Sequence, residues 1–463
     1  MNKITSEAAR SQIFARACYQ MAWRWHCYTG LFVIPFMLML SITGLVMLYD
    51  DQLQSLRYPQ LKTISAGEQV LPASAQLAAL KQRYPQAQVR KYIPAKHAQA
   101  ASFFVVSMDG QKWHIALNPY SAEVLAQIDR GDSWYALAND IHGTLLLGES
   151  GDRAIEVATG FMVLLIVSGV FLWLPSKSPA KKMVFVPRLH RGRRTFFREL
   201  HSSLGFYSVI FLLFFVLSGL AWSGIWGGKL VQAWNSFPAQ KWDNVPLSSE
   251  THRSMNEGAI EEVPWNLEQT PMPASRGDSG QALGVDQLAA LAQRLGMPHY
   301  QLNMPSASEG VFTLSADTMS GDIVDPRQDR TVHVDQYTGE VLADVGFADY
   351  SVLAKAMAAG IALHQGDVGW FNLALNTLLC SVFIAISVSG VWLWWNRRPA
   401  GSVAVGAPKV LQPVRWMSGL AAVVVIAVLF PLSGLALLVV LSIDSVAQLG
   451  LALYRRYSAV AGK

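Results

Sequence analysis

The sequence predicts an α-helical membrane bundle, a four-helix core plus a fifth span, that carries two small α+β domains outside the membrane and arose by internal duplication. Three observations predict it. The 463 residues are 52% hydrophobic and only 15% charged, a membrane-protein composition with enough polar sequence left for extramembrane domains. Five uncharged runs, Trp25–Tyr49, Val157–Ser176, Leu200–Gly228, Val368–Asn396 and Trp416–Ile443, reach the roughly 20 residues that a bilayer crossing needs. The order of span, polar insertion and span then repeats, with recognisable sequence in both copies.

The elements follow in chain order. Residues 1–24 are a cytoplasmic lead-in with Lys3, Arg10, Arg16 and Arg24. The first span, 25–49, contains Pro35, which kinks a helix and leaves a carbonyl to be satisfied locally. The first insertion, 50–153, holds an amphipathic helix over Ala73–Arg83 and strands over Ser102–Met108 and Lys112–Leu117 joined by an Asp109-Gly110 turn. The second span is 154–176. A basic loop, 177–199, precedes the third span, 200–228. The second insertion, 229–367, contains the second small domain at about 284–345, after an irregular stretch, 229–283, rich in Pro, Ser, Trp and acid. The fourth span is 368–396, the next loop 397–415, the fifth span 416–443 and the tail 444–463. Lys and Arg crowd the lead-in and the loops after spans two and four. Cytoplasmic loops carry that excess, so both insertions and the tail are expected outside. The long first run also predicts no cleavable signal.

The duplication is explicit. Gln76-Leu-Ala-Ala-Leu-Lys-Gln-Arg83 returns as Gln287-Leu-Ala-Ala-Leu-Ala-Gln-Arg294, identical at seven of eight positions. Asn118–Leu125 returns as Asp335–Leu342, and alternation over Thr331–Asp335 predicts a half-buried strand.

Four histidines share the repeat. His26 and His201 each lie 18 residues before a glycine, Gly44 in Thr43-Gly44-Leu45 and Gly219 in Ser218-Gly219-Leu220. His142 and His364 lie 26 and 25 residues before Ser168-Gly169-Val170 and Ser389-Gly390-Val391. Spans one and three run outward and spans two and four run inward. His26 and His201 therefore share the cytoplasmic face, and His142 and His364 the outer face. Ionisable groups in a membrane are functional by default, and paired imidazoles on neighbouring helices are the ligand set of a bis-histidine haem. Two such pairs predict two haem groups. With no C-x-x-C-H in the chain, they would be haem b, held non-covalently. An iron with both axial positions filled transfers electrons and binds no substrate.

Gly30 and Gly205, four residues after a ligand on the same helical face, leave room for a flat macrocycle. Gly44, Gly169, Gly219 and Gly390 read equally as haem room or as notches for close helix packing. Arg24 and Arg198, like Arg193 and Arg194, are candidates for contact with haem propionates, or serve only as topology charges. His142 lies 14 residues before Glu156, so glycine-rich breaks at 147–152 and 365–369 are expected to put each outer histidine on its own short segment. His97, His114, His252, His299 and His333 read as ordinary surface or strand residues. Ser433-Gly434-Leu435 in span five echoes spans one and three, with Trp416 where the ligand would stand. That span is therefore read as structural.

Several functions are excluded as built-in activities. No G-x-G-x-x-G occurs, and no cytoplasmic loop is long enough for a nucleotide or flavin domain. Electrons must come from membrane quinol or a separate cytoplasmic reductase. Cys18, Cys27 and Cys380 all fall in or beside apolar segments, so the insertions have no disulfide framework. Nothing points to nucleic acid as a partner, and the lipid bilayer is the one partner that composition requires.

The chain resembles the PepSY-associated transmembrane family of bacterial inner-membrane proteins. The residues that carry the likeness are Trp25-His26 with Gly30, Asp140-Ile-His142-Gly143, Leu200-His201-Ser-Ser-Leu-Gly205, Leu363-His364, and the endings Asn118–Leu125 and Asp335–Leu342. Some members are di-haem ferric-siderophore reductases. The resemblance implies axial ligation by His26 and His201 on the cytoplasmic side and by His142 and His364 on the periplasmic side. It also implies a ferric siderophore or other periplasmic iron chelate as acceptor. Span five and residues 229–283 depart from the four-helix pattern. Two further readings stay open: a non-enzymatic PepSY membrane regulator or binding protein, and a transporter of iron complexes.

Overall fold

Among the described residues, four helices are long and apolar enough to cross a membrane, and each grows from one of the first four apolar runs. They are α1 (Asn2–Leu48), α5 (Glu149–Trp173), α6 (Arg193–Leu220) and α9 (Gly369–Trp395). The computed structural model describes residues 2–174, 185–231, 239–255, 267–276, 280–398, 417–440, 442–443 and 446. Between these elements lie α2 (Asp50–Arg57), α3 (Ala73–Arg83), α4 (Trp134–Thr144), α7 (Val285–Arg294) and α8 (Val352–Gln365). The chain divides into two compact units, one of residues 1–42, 143–228 and 378–463, the other of 43–142 and 229–377.

In the helical unit, the lead-in and span one are continuous, because nothing between Asn2 and Leu48 stops the helix. The single fifth span that the sequence predicts is two apolar helices, α10 (Met417–Leu429) and α11 (Pro431–Val440). A proline disfavours helical geometry in the residue before it and suits the first position of a helix, so the interruption falls at Phe430. The small residues of α11 do make a packing notch: Ser433 Oγ donates to the Val157 carbonyl of α5 at 3.0 Å, and a Cβ on Gly160 would collide with Ser433. Residues 175–184, 399–416 with Trp416, 441, 444–445 and 447–463 lie outside the described residues.

In the other unit, ten strands form: β1 (Gln88–Ile93), β2 (Ser102–Met108), β3 (Gln111–Leu117), β4 (Val124–Ile128), β5 (Leu247–Thr251), β6 (Pro271–Pro273), β7 (Gln301–Asn303), β8 (Val311–Ala316), β9 (Arg330–Asp335) and β10 (Val341–Gly346). The β2–β3 turn has both Asp109 and Gly110 at positive φ, as a two-residue hairpin turn requires. Two separate small domains are expected from the repeat, but the structure fuses them. One eight-stranded antiparallel sheet runs β10-β9-β8-β7-β1-β2-β3-β4, joined where Lys91 faces Asn303 and Tyr92 faces Leu302. An open strand edge is a liability, and the two copies close one edge each by pairing with the other. Their cores merge as well, with Leu80, Phe104 and Ile115 of the first copy in the same cluster as Leu288, Leu302 and Leu314 of the second. Ser74 of α3 donates its backbone N–H to Asp286 of α7 at 2.9 Å.

Residues 239–276 are the irregular cap, apart from 256–266, which with 232–238 and 277–279 lie outside the described residues. Trp242 packs against His333 of β9 and clusters with Val345 of β10, and β9 is buried on both faces rather than half-buried. The cap is pinned by two histidines, His333 on strand β9, as a strand residue is expected to be, and His252, which is buried rather than at the surface. His252 and His333 are fully buried. Their Nε2 atoms are 2.9 Å apart, His252 Nδ1 donates to the Thr270 carbonyl at 2.7 Å, and the Thr313 hydroxyl lies 2.9 Å from His333 Nδ1. With Nδ1 of His252 protonated, its bare Nε2 accepts from His333 and both rings are neutral.

Burial holds His252 down to about 4 and His333 well below the ordinary histidine value, with each ring's charge opposing the other's in His333. A histidine that is neutral in the fold gives stability that is whole above pH 6.5 and is lost as pH falls toward 4. Thermal unfolding of the purified protein should therefore drop between pH 7 and pH 4.5. His252→Leu with His333→Leu should lose much of that dependence, and an unchanged pH profile in the double variant would refute the assignment.

Candidate functional site: two histidine pairs

The helical unit brings His26 of α1 and His201 of α6 together, with ring centroids 6.3 Å apart and planes at 81°. Two imidazoles across one metal atom, each bonded at about 2 Å, place their centroids roughly 6 Å apart. Each ring is held by the Ser-Gly pair of a neighbouring span. His26 Nδ1 lies 3.1 Å from Ser168 Oγ, and that hydroxyl spends its proton on the Leu165 carbonyl at 3.1 Å. His201 Nδ1 lies 3.2 Å from Ser389 Oγ and 3.1 Å from the Ile386 carbonyl, while Ser389 donates to the same carbonyl at 2.9 Å.

A serine whose proton is committed can only accept, and a carbonyl can only accept. Both imidazoles are therefore protonated on Nδ1 and bare on Nε2. The following glycines supply the space: a Cβ on Gly169 would stand 3.1 Å from His26 Cε1, and one on Gly390 would stand 3.3 Å from His201 Cε1. At Gly169 and Gly390 the missing side chain lets a histidine ring approach closely. Gly205 differs, since a Cβ there would meet nothing within 4 Å, whereas one on Gly30 would touch Leu165 at 3.5 Å. Open space thus lies beside Gly205, and Gly30 is a packed position.

His142 and His364 fall in the other unit, each on a short helix that ends where the sequence breaks. After α4 the chain turns through Leu145, Leu146 and Gly148, all at positive φ, and Gly151 admits the Thr144 carbonyl where a Cβ could not. After α8, Gly366 takes the left-handed C-cap conformation that favours glycine. His142 Nδ1 lies 2.8 Å from Thr43 Oγ1 near the end of α1, so Thr43-Gly44 meets a histidine as the Ser-Gly pairs do. The end of α8 that carries His364 is tied to α9 by two buried asparagines. Asn376 Nδ2 donates to the Leu363 and His364 carbonyls at 2.8 and 3.0 Å, and Asn372 Nδ2 donates to Leu363 at 2.9 Å. Burial keeps His142 at about 4, and burial with the nearby His142 keeps His364 at about 3. Both stay neutral at physiological pH, the form that ligates metal.

The arginines are less uniform. Arg198 is 3.7 Å from Glu199, which Arg188 grips with its guanidinium. Arg24 lies over the Tyr28 ring at 5.4 Å. Arg397, which the sequence reading counted only for topology, lies over Trp23 at 4.5 Å, one turn before His26. Burial, then Arg194 and Arg198, hold its pKa below the usual arginine value. Positive charge is thus concentrated near the His26 end of the pair. Ser168, Ser389, Thr43, Asn372, Asn376 and Arg397 were all missed as site residues. The offset of each Ser/Thr-Gly pair from a histidine was the available signal for the first three.

Four apolar spans and a sheet unit define a multi-pass membrane protein. A family model described as the PepSY-associated TM region matches residues 23–397. The match takes in all four spans and the whole sheet, and the chain belongs to this family. No curated protein matches the sequence.

Removing the hydrogen bond that orients a metal-binding histidine typically costs 10–100-fold in metal affinity. Ser168→Ala and Ser389→Ala should each weaken the hold on any metal centre between His26 and His201 by roughly that factor, and Gly169→Ala should do the same by displacing the ring. Metal retained through purification, read by elemental analysis, checks this. Undiminished retention in all three variants would contradict the assigned geometry.

Proposed function

We propose that this protein is a di-haem b-type oxidoreductase of the bacterial inner membrane that passes electrons outward to a periplasmic ferric chelate such as a ferric siderophore. The observation that carries the reading is the His26–His201 pair, 6.3 Å apart with both Nδ1 atoms committed to neighbouring helices. His26 and His201 would hold the cytoplasmic haem, and His142 and His364 the periplasmic one. When bound, haem supplies a one-electron iron couple with no open coordination position.

The chain's own residues do the rest. Ser168 and Ser389 would fix imidazole tautomer and ring direction, and Thr43 would orient the His142 ring. The open space beside Gly205 suits a macrocycle, and the cations Arg24, Arg198 and Arg397 suit its propionates. Helix α1 carries a residue of each site, His26 and Thr43. Electrons would enter from quinol or from a separate cytoplasmic reductase, and the sheet unit would face the acceptor in the periplasm. Reduction of Fe(III) to Fe(II) weakens its bonds to hard oxygen ligands and so releases iron.

The purified protein should show a reduced b-type haem spectrum with two haems per chain. His26→Ala with His201→Ala should remove one, and His142→Ala with His364→Ala the other. Protein reduced by a quinol should be reoxidised by a ferric siderophore, with Fe(II) appearing in a ferrous chelator. A colourless protein from haem-replete cells would overturn the reading and favour a binding or regulatory role.

A further inference from the structure

The C-terminal end of α1 carries more than Thr43. Between residues 43 and 50 it meets the supports of both His142 and His364. Thr43 Oγ1 lies 2.8 Å from His142 Nδ1. Asp50, just past the helix, pairs with Arg130 at 3.2 Å, shortly before α4 begins. A Cβ on Gly366, the C-cap of α8, would collide with Leu48. The Tyr49 hydroxyl lies 3.0 Å from Thr377 Oγ1 of α9.

The direction of the last bond is set by its surroundings. Thr377 gives its proton to the Leu373 carbonyl at 2.8 Å, so towards Tyr49 it accepts and the phenol donates. Thr377 follows Asn376, which donates to the Leu363 and His364 carbonyls at 2.8 and 3.0 Å. The contacts therefore run from His142 to Thr43, along the last turns of α1 to Tyr49, then through Thr377 and Asn376 to the backbone of His364.

The repeat places a second strap at the matched position. Aligning Ser168-Gly169 with Ser389-Gly390 sets Glu156 of α5 against Thr377, and aligning Thr43-Gly44 with Ser218-Gly219 sets Gly224 against Tyr49. Glu156 accepts the backbone N–H groups of Ile225 and Trp226, each at 3.2 Å. Asp152, one turn earlier, accepts that of Gly224 at 3.1 Å. At both places the end of a span bearing a hydroxyl–glycine pair is fastened to the start of a span that follows a histidine segment. Carboxylates make the link at α5, and a neutral hydrogen bond makes it at α9.

We propose that Tyr49 is a positioning residue for the outer pair: its bond to Thr377 sets the spacing between the support of His142 and the support of His364. The inference rests on the di-haem reading. Two axial imidazoles share one iron only when separation and direction are both held, to within about 0.5 Å for a working site. Without the phenol oxygen, the Tyr49 ring still packs between α1 and α9, but the distance between the two supports is no longer fixed.

The test uses the full-length protein with both haems bound. Tyr49→Phe removes one oxygen and keeps the ring. It should speed loss of the outer haem to a haem-scavenging apoprotein roughly fivefold, the contribution of one neutral hydrogen bond, and shift the low-spin EPR signal of that haem alone. The outer haem is identified as the one that survives His26→Ala with His201→Ala. Thr377→Val should match Tyr49→Phe, Thr377→Ser should behave as the unaltered protein, and Tyr49→Phe with Thr377→Val should lose no more than either alone. Absence of haem would sink the di-haem reading itself. Two haems with the outer one unchanged in Tyr49→Phe and Thr377→Val would overturn only the positioning role. So would equal loss of both haems, the mark of general destabilisation, or a Thr377→Ser protein that behaves like Thr377→Val.

Discussion

The arrangement depends on one repeated contact: an imidazole Nδ1 set against the hydroxyl of a serine or threonine that immediately precedes a glycine. It occurs as His26 on Ser168, His201 on Ser389 and His142 on Thr43. The hydroxyl determines which nitrogen carries the proton in the first two cases, and the glycine removes the side chain that would keep the ring away. In hydrocarbon a mobile, half-satisfied histidine would be costly. Once Nδ1 is satisfied locally, Nε2 is left for a metal and the ring cannot rotate without breaking a hydrogen bond. The contacts of His26, His201 and His142 are therefore variants of one arrangement, set in different surroundings.

That contact explains what sequence could and could not show. The four histidines and the small-residue pairs were legible because duplication printed each of them twice. The glycine breaks after His142 and His364 were legible because Gly148 and Gly366 stand where a continuous helix would carry the ligand too far out. The partner of each ring was not legible. Ser168 is 142 residues from His26, and a Ser-Gly pair in an apolar run carries the same signal whether it serves a helix crossing or a side chain. Ser433-Gly434 shows the other outcome, a hydroxyl that meets only the Val157 carbonyl of a neighbouring helix.

The fusion of the two sheet-forming copies was hidden for a different reason. A repeat predicts two like folds and says nothing about their edges. Pairing of Tyr92 with Leu302 needs β1 and β7 to present compatible edges across more than 200 residues, and no local pattern encodes that. The buried His252–His333 pair was likewise invisible, because one histidine lies in an irregular stretch and the other on a strand read as half-exposed. Composition could only mark residues 229–283 as a cap.

The two pairs are positioned by different cores, and this follows from where each histidine falls in the chain. His26 and His201 sit within spans, so helix packing alone sets their separation. His142 and His364 sit on short helices that leave the sheet, α4 after β4 and α8 after β10, at the two ends of the strand order. Had the copies folded as independent domains, those two chain segments would each have followed its own domain. A single sheet with a shared core makes their starting points parts of one body, and the asparagines of α9 then fasten the His364 end. The seam between β1 and β7, remote in sequence from all four paired histidines, thus bears on His142 and His364.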